Sequence, residues 1–287
     1  RGRSFLNDIE GLDALGAVRV RVRGAVSTRA QEPAHDEIGK PVFEDFLWHP
    51  QRKVVARRLG LGMPLSLTEV EIPLVANAMN SAGSDSFLQT WLAPREREIL
   101  EDLKHPKRRL EWLAGRICAK EAVRSLSEEA PGITDIEVLT DTEGAPFVRY
   151  PGVLEGPRIS IAHSNGLAVA AASDCASVGI DVERVAYDVH RFQNKFCSVT
   201  EVQLVRNEAG ELEVPTLMRL WVAKEAALKA ARNGSVPLTS LHVQTAELDD
   251  RYLVVDLQGE DGTSVQAVTF RSHDYYYAVA AKTRDPQ

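Results

Sequence analysis

The sequence has few cysteines, no long apolar run and no excess of basic residues, and each of these gaps excludes a class of protein. Its 287 residues include three cysteines, with no CxxC pair and no histidine at metal-ligand spacing. This argues against a disulfide framework or a zinc site and favours a reducing cytoplasm. No apolar stretch approaches the ~18 residues of a membrane helix, and no signal peptide is recognised. The net charge of −7 gives no indication of binding to nucleic acid or anionic lipid.

The first part of the chain, residues 1–82, differs in pattern from the rest. The stretch "AVRVRVRGAV" alternates apolar and basic residues, which predicts a half-exposed strand. Several prolines follow, and "NAMNSAGSDS" is typical of a linker. Because residues 1–82 contain no grouping of reactive side chains, we expect them to form an N-terminal extension or linker.

The rest of the chain repeats one order of elements, in residues 83–174 and again in residues 175–287. The first copy reads as a strand ("SFLQTWLA"), a helix opened by Pro94, a longer amphipathic helix and several short strands. The second reads as a strand ("SVGIDVERV"), a helix capped by Thr200, a helix closed by Asn233-Gly234, and four strands.

Two sequence matches support a duplication. The tetrapeptide AKEA occurs at residues 119–122 and 223–226, which gives an offset of 223 − 119 = 104. "HSNGLAVAA" from His163 matches "HDYYYAVAA" from His273 at an offset of 273 − 163 = 110. We therefore predict an α+β fold of two tandem β-α-β-β half-domains related by a pseudo-twofold axis, with a ligand cleft between them.

The acidic residues of the second copy indicate a metal site. Asp181 and Glu183 are two apart on one strand, so they share a face, and Glu225 follows on a helix that could pack against that strand. Three carboxylates form an oxygen-only ligand set, which suits Mg²⁺. The alternative interpretations are an exposed strand face and an ordinary ion pair between Glu225 and Lys229, four residues apart on the helix.

The first copy contains different polar residues. His163 and Ser164 end a strand, and Arg116 lies one helical turn before Lys120. A guanidinium, an imidazole and a hydroxyl together suit a phosphate group. No GxSxG motif surrounds Ser164, so a nucleophilic serine is disfavoured.

These stretches together resemble a known family. "VGIDVE", followed about forty residues later by "LWVAKEAALKA", resembles the signature of 4′-phosphopantetheinyl transferases, and "ISIAHSNGLAVAAA" before it resembles their larger, pseudo-dimeric class. The resemblance implies transfer of the 4′-phosphopantetheine group from coenzyme A to a serine of an acidic acyl carrier protein, with Mg²⁺ as cofactor and release of 3′,5′-ADP. It covers roughly residues 84–283.

The resemblance also implies roles for individual residues. The metal ligands are Asp181, Glu183 and Glu225; the catalytic residues are Glu225, Lys229 and Lys224; the coenzyme A contacts are Arg116, His163, Ser164 and Lys229. One departure is "TEGAPFV", where Ala145 occupies a position that is basic in many members. Arg149 or Arg109 could supply the missing contact.

Other expectations concern partners and context. The basic stretch from Lys104 to Arg109, or Arg191 with Lys195, could dock the acidic carrier protein. The N-terminal stretches "GAVRVRVRGAV" and "VFEDFLWHP" resemble the tail of a polyketide-synthase dehydratase region, so we expect the C-terminal domain of a bacterial polyketide synthase, monomeric as an isolated piece. The alternatives are a non-catalytic scaffold module of a synthase and, less favoured, a metal-dependent nuclease.

Overall fold

The computed structural model describes residues 49–61, 65–127, 130–185, 188–205, 213–232, 236–249 and 251–282, together with the backbone of two strands at 4–12 and 18–28. The chain divides into two compact units, Arg1–Pro41 and Val42–Gln287. In the first unit, strands β1 (Ser4–Leu12) and β2 (Val18–Thr28) form an antiparallel pair. The strand predicted from the alternating stretch is therefore confirmed. Most of "VFEDFLWHP" lies outside the described residues.

The second unit contains the remaining helices and strands. Its helices are α1 (Arg52–Arg58), α2 (Ile72–Ala82), α3 (Ser84–Trp91), α4 (Pro94–Asp102), α5 (Pro106–Arg124), α6 (Val199–Leu204) and α7 (Val214–Ala231). Its strands are β3 (Leu65–Glu71), β4 (Glu137–Thr140), β5 (Pro146–Arg149), β6 (Arg158–Ser164), β7 (Leu167–Ser173), β8 (Val178–Arg184), β9 (Leu241–Leu248), β10 (Tyr252–Gly259), β11 (Ser264–Ser272) and β12 (Tyr275–Lys282). Short 3₁₀ helices occupy Val189–Lys195 and Leu238–Ser240.

The sheets of the two halves have related strand orders. The second half forms a five-stranded sheet in the order β8-β12-β11-β10-β9. The first half has the order β3-β7-β6, with β4 and β5 paired as a separate hairpin. In both halves the leading strand pairs with the last strand of its half, and a long helix (α5 or α7) packs on the sheet. The predicted α+β class is confirmed.

Three apolar clusters define the layers of this unit. One lies between α5 and the first sheet, and one lies between α7 and the second sheet. The third lies between the two sheets, where Leu67 and Val169 of the first half meet Ile180 and Val279 of the second. The layers therefore run helix, sheet, sheet, helix, and strands such as β7 and β12 are buried on both faces.

A segment that precedes the first sheet packs across both halves. The backbone N–H of His49 donates to the carbonyl of Leu67 in β3 (3.0 Å). The His49 ring lies 4.9 Å from the ring of Phe270, on β11. Tyr252 donates to Gln51 Oε1 at 2.6 Å. Residues 49–61 therefore form a clasp that touches both sheets.

The structure corrects several boundaries predicted from the sequence. "SFLQTWLA" forms helix α3 rather than a strand, because Phe87 and Trp91 lie four residues apart and are both buried in the first half. Most of the predicted linker "NAMNSAGSDS" belongs to α2 and α3, which meet at Gly83 with φ of 80°. The extension predicted to end at residue 82 includes the leading strand of the first half.

The caps of the second half also differ in part from the prediction. Ser198, not Thr200, caps α6, because its Oγ accepts from the backbone N–H of Glu201 (3.2 Å). Asn233 and Gly234, predicted to close α7, lie outside the described residues; Arg232 is its C-cap. Within the described part of the chain, none of the helices has the length and apolar character needed to cross a bilayer.

Candidate active site

Strand β8 and helix α7 approach each other unusually closely at Gly179. A Cβ at this position would lie 1.9 Å from the carbonyl oxygen of Ala226 and 2.6 Å from the backbone nitrogen of Ala230. Only glycine allows this contact. Because Asp181 and Glu183 share a strand face with Gly179, they also face α7. The crossing thus brings two strand carboxylates towards Glu225 on the helix.

Asp181 lies at the centre of the crossing. Its side chain is 6% exposed, and its Oδ1 accepts a hydrogen bond from Lys229 Nζ at 2.8 Å. Lys229 also donates to the carbonyl of Ile180 (3.0 Å). Burial raises the pKa of Asp181, although the Lys229 ammonium acts in the opposite direction. The second oxygen, Oδ2, is buried and has no hydrogen-bond partner.

Glu183 connects the two halves of the molecule. Its Oε2 accepts a hydrogen bond from Ser164 Oγ, at the end of β6, at 2.7 Å. Burial raises the pKa of Glu183, and the charges of Asp181 and Glu225 raise it further. Ser164 therefore contacts a candidate metal ligand, and the nucleotide contact predicted for it stays a prediction.

Glu225 completes the set of three acids. Burial and then the charge of Asp181 raise the pKa of Glu225, while the Trp221 side chain donates a hydrogen bond to it. The three carboxylates repel one another electrostatically, and one oxygen of Asp181 lacks a partner. Oxygen ligands of this kind, with an unsatisfied buried acceptor, fit a hard divalent cation. Among the described residues, however, no three acidic, histidine or cysteine side chains already converge on one point.

The lysines of the repeated AKEA tetrapeptide, Lys120 and Lys224, are both buried, although the sequence predicted a catalytic role for Lys224. Lys224 is fully buried, and its Nζ lies 2.6 Å from Glu201 Oε1. Lys120 in the first half is also fully buried, 2.5 Å from Glu96 Oε2. Both glutamates accept backbone N–H bonds from a helix start and from the first strand after the long helix.

These buried pairs correct the catalytic role predicted for Lys224. A lysine without exposed surface, held by a carboxylate that is itself bound to two backbone groups, cannot reach a substrate. The pair instead fixes the long helix to the shorter helix and the sheet. Of the predicted catalytic lysines, Lys229 alone lies beside the carboxylates.

The described residues of the first half place an apolar side chain where the second half has Asp181. Asp181 pairs with Ala278 on β12, and the sequence match relates Ala278 to Ala168 (278 − 168 = 110). Ala168 pairs with Val70 on β3. The apolar Val70 thus occupies the position of Asp181 in the first half.

The remaining predicted contacts lie in the first half. Arg116 is largely buried, with its guanidinium 4.2 Å from the centre of the Trp112 ring and Nη2 3.5 Å from Thr140 Oγ1. Its Nε has no hydrogen-bond partner, and burial lowers its pKa to about 10. His163 is exposed, on the face of β6 opposite to Ser164.

A cleft of about 590 Å³ opens between the halves next to Lys229. The β4–β5 turn, with Ala145 and Pro146, lines one side, and Arg232 lines the other; Arg158 of β6 also contributes. Sequence reasoning missed Arg158 and Arg232, because neither belongs to a motif. The substitutes proposed for Ala145 do not line this cleft: Arg109 donates to the carbonyls at the end of α4, and Arg149 lies over the Phe147 ring.

Comparison with known proteins identifies the family. The sequence model of the 4′-phosphopantetheinyl transferase superfamily matches residues 177–280, and the model of the 4′-phosphopantetheinyl transferase N-terminal domain matches residues 96–173. A holo-[acyl-carrier-protein] synthase of Enterococcus faecalis is 34% identical over 109 residues, which cover 37% of this chain and 91% of that protein. The chain belongs to the 4′-phosphopantetheinyl transferase superfamily.

Further similarities involve a longer relative and solved structures. The 4′-phosphopantetheinyl transferase HetI of Nostoc sp. is 26% identical over 140 residues, covering 48% of this chain and 58% of HetI. The structure of the Helicobacter pylori holo-[acyl-carrier-protein] synthase in complex with coenzyme A matches 38% of this chain and 97% of that chain, with 19% identity and a TM-score of 0.30. Membership of the superfamily rests on the sequence matches and makes the chain an enzyme.

Proposed function

We propose that this chain transfers the 4′-phosphopantetheine group of coenzyme A to a serine of an acyl carrier protein and releases 3′,5′-ADP. The observation that carries the proposal is the Asp181–Lys229 contact at the crossing of β8 and α7, beside a basic cleft between the halves. Family membership and the names of the relatives support the same reaction.

The residues of this chain suggest how the reaction is assisted. Asp181, Glu183 and Glu225 would hold Mg²⁺, which when bound supplies positive charge to the diphosphate of coenzyme A. Lys229 lies between Asp181 and the cleft, so its ammonium is placed to stabilise charge on the departing phosphate. Arg116, with an unpartnered Nε, and His163 are the proposed nucleotide contacts of the first half.

The bond changes follow from the substrates. The serine oxygen of the carrier protein forms a new bond to the phosphorus that bears the pantetheine. The bond from that phosphorus to the bridging oxygen breaks, and 3′,5′-ADP leaves with the electron pair. The serine proton needs an acceptor. The candidates are the carboxylates of Glu183 and Glu225, and the one that is not bound to Mg²⁺ would be the stronger base.

The structure favours one of the two predicted docking regions for the carrier protein. In the stretch Lys104 to Arg109, Arg109 binds the end of α4 and Lys107 pairs with Glu111. Arg191 and Lys195 are exposed on the 3₁₀ helix after β8, as Lys104, Lys107 and Arg108 are on their own segment. Phe192, on that helix, packs against Trp221, which bonds to Glu225. Docking at Arg191 and Lys195 would thus bring the serine close to the acids.

The test is incubation with coenzyme A, Mg²⁺ and an apo acyl carrier protein, followed by mass spectrometry of the carrier. We expect a mass gain of one phosphopantetheine. A parallel incubation with plasmid should leave the DNA intact; cleavage of plasmid with no carrier modification would instead establish the nuclease alternative. If coenzyme A binding is undetectable by calorimetry with Mg²⁺ in excess, the chain is a scaffold module.

The polyketide-synthase context is a separate proposal that rests on the N-terminal sequence alone. Apo carrier proteins from a polyketide synthase and from a fatty acid synthase can be offered in the same assay. We expect faster modification of the polyketide carrier, and equal or inverse rates would contradict this context.

A further inference from the structure

Helix α7 ends on a residue that is poorly suited to its backbone conformation. Arg232 is the C-cap, with φ of 57° and ψ of 37°, in the left-handed region. Helices commonly pass through this conformation on glycine, because a Cβ clashes with the following carbonyl. An arginine therefore destabilises the helix end relative to glycine, and its side chain is expected to provide a compensating interaction.

The side chain of Arg232 reaches from the second half to the first. Its Nη2 lies 3.5 Å from the carbonyl oxygen of Pro146, and its Nη1 lies 3.9 Å from Asp141 Oδ2. Both distances are long, and both ion-pair side chains are about one-third exposed (36% for Arg232, 30% for Asp141). Such contacts contribute little to folding stability. Internal contacts thus do not explain why an arginine is placed at this strained position.

The charges around the cleft provide an explanation. Among the described residues, three cationic side chains line it, Lys229, Arg158 and Arg232, against one acidic side chain, Glu143. The first-half turn that faces Arg232 offers no basic residue, since residues 142–146 read Thr-Glu-Gly-Ala-Pro. The positive charge on the α7 side of the cleft therefore comes from Lys229 and Arg232, three residues apart on the helix end. An anionic ligand is the complement of such a cleft.

We propose that Arg232 binds a phosphate group of the coenzyme A nucleotide and thereby contributes to cofactor affinity from the end of α7. The inference rests on the proposed function, since it takes coenzyme A as the anionic occupant of the cleft. Lys229 contacts Asp181, whereas the contacts of Arg232 are with Pro146 and Asp141 of the first half. Arg232 is thus a binding residue whose loss affects the affinity for coenzyme A more than the chemical step.

The decisive variant is Arg232→Gly, which removes the guanidinium and also relieves the backbone strain. We expect its thermal unfolding temperature to stay the same or rise. Its Kd for coenzyme A, measured by calorimetry, should rise about tenfold, as for loss of one charge-assisted contact. The KM for coenzyme A should rise similarly, with kcat changed less than twofold. Arg232→Lys should recover part of the affinity, because it retains the charge.

Arg149→Ala is the matched control, because Arg149 is an exposed first-half arginine that does not line the cleft. Its Kd for coenzyme A should remain that of the wild type. An unchanged Kd in Arg232→Gly, with normal binding in the wild type, would overturn the inference while leaving the proposed function intact. Failure of the wild type to bind coenzyme A would overturn the proposed function first.

Discussion

At the scale of single residues, some identical residues of the two copies share a structural role and others do not. Lys120 and Lys224 have the same structural role, because each neutralises a buried glutamate that is bound to two backbone groups. Glu121 and Glu225, the next residues, differ. Glu121 pairs with Arg124 at 2.9 Å, whereas burial and then the charge of Asp181 raise the pKa of Glu225. The first glutamate has a cation of its own, and the second shares the charge of Lys229 with two other acids.

This difference predicts the effect of neutralising each glutamate. Glu225→Gln should reduce transfer to the carrier protein by at least about 100-fold, because one of three ligands carries both metal affinity and charge. Its unfolding temperature should not fall, since the substitution removes repulsion among buried carboxylates. Glu121→Gln, the matched control, should retain transfer. The measurements are the mass assay, Mn²⁺ binding by electron paramagnetic resonance, and thermal unfolding. Full transfer activity in Glu225→Gln would show that Glu225 is not a metal ligand.

At the scale of elements, the contact between β8 and α7 positions the site. The strand can approach the helix because Gly179 has no side chain, and a serine just before it, Ser177, donates to the carbonyl of Ala230 at 2.8 Å. This approach places Lys229 within hydrogen-bond distance of Asp181. A helix–strand contact of the first half, between α5 and β6, involves side-chain atoms instead, since the Cβ of an alanine at Gly115 would lie 2.9 Å from the side-chain carbon Cγ2 of Ile161.

We therefore expect very different results from alanine at these two glycines. Gly179→Ala should destabilise the protein by about 3 kcal/mol or more, because its Cβ meets backbone atoms that cannot move independently. Gly115→Ala should change stability by about 1 kcal/mol or less, since a side-chain methyl group can rotate away. Urea unfolding followed by circular dichroism measures both. Similar losses in the two variants would show that the strand–helix approach is not the limiting contact.

Helices and strands that are defined by local sequence patterns were predicted well, and those that are defined by long-range packing were not. The sequence predicts strands β4 to β12 close to where they occur, because apolar patterns and turn residues surround them. It does not predict helix α3, since the short apolar run there fits a strand as well as a helix. It also misses strand β3, because the chain before residue 83 reads as an extension. The pairing of β3 with β7 is a contact over about a hundred residues, which local patterns do not reveal.

At the scale of the whole molecule, the two halves share one apolar layer and one clasp. The clasp, residues 49–61, precedes the first sheet and carries the buried side chain of His49. His49 lies 3.7 Å from Glu69 Oε2, which accepts a hydrogen bond from Tyr277. With both halves in one chain, both sides of the cleft are present in a single copy. A monomer therefore stays our prediction for the isolated piece.

The buried His49 predicts a loss of stability in acid. Burial, and then the charge of His273, lower the pKa of His49 from 6.5 to about 4. The unfolded chain therefore takes up a proton below pH 6.5, whereas the folded protein does so only near pH 4. The free energy of unfolding should fall across this window by about 3 kcal/mol from this group. Glu69, whose pKa is raised by burial, acts with the opposite sign.

The variant His49→Phe isolates the contribution of the histidine. The slope of the unfolding free energy against pH between 6 and 4.5 measures how many protons are taken up on unfolding. We expect this number to be lower in the variant by nearly one, whatever the stability of the variant at pH 7. Urea unfolding at several pH values gives both slopes. Equal slopes in the two proteins would mean that His49 is protonated as readily when folded as when unfolded.

The sequence alone determined the duplication, the acidic strand and the family resemblance, because these depend on residue types at short, fixed spacings. Period-2 and period-3.6 patterns specify which face a residue occupies, so the spacing of Asp181 and Glu183 was enough to place them together. Tertiary structure decided which lysine of α7 reaches the site. Lys224 is buried against Glu201, whereas Lys229 contacts Asp181. It also decided that Arg232 faces the cleft, because that position depends on how two halves far apart in sequence pack against each other.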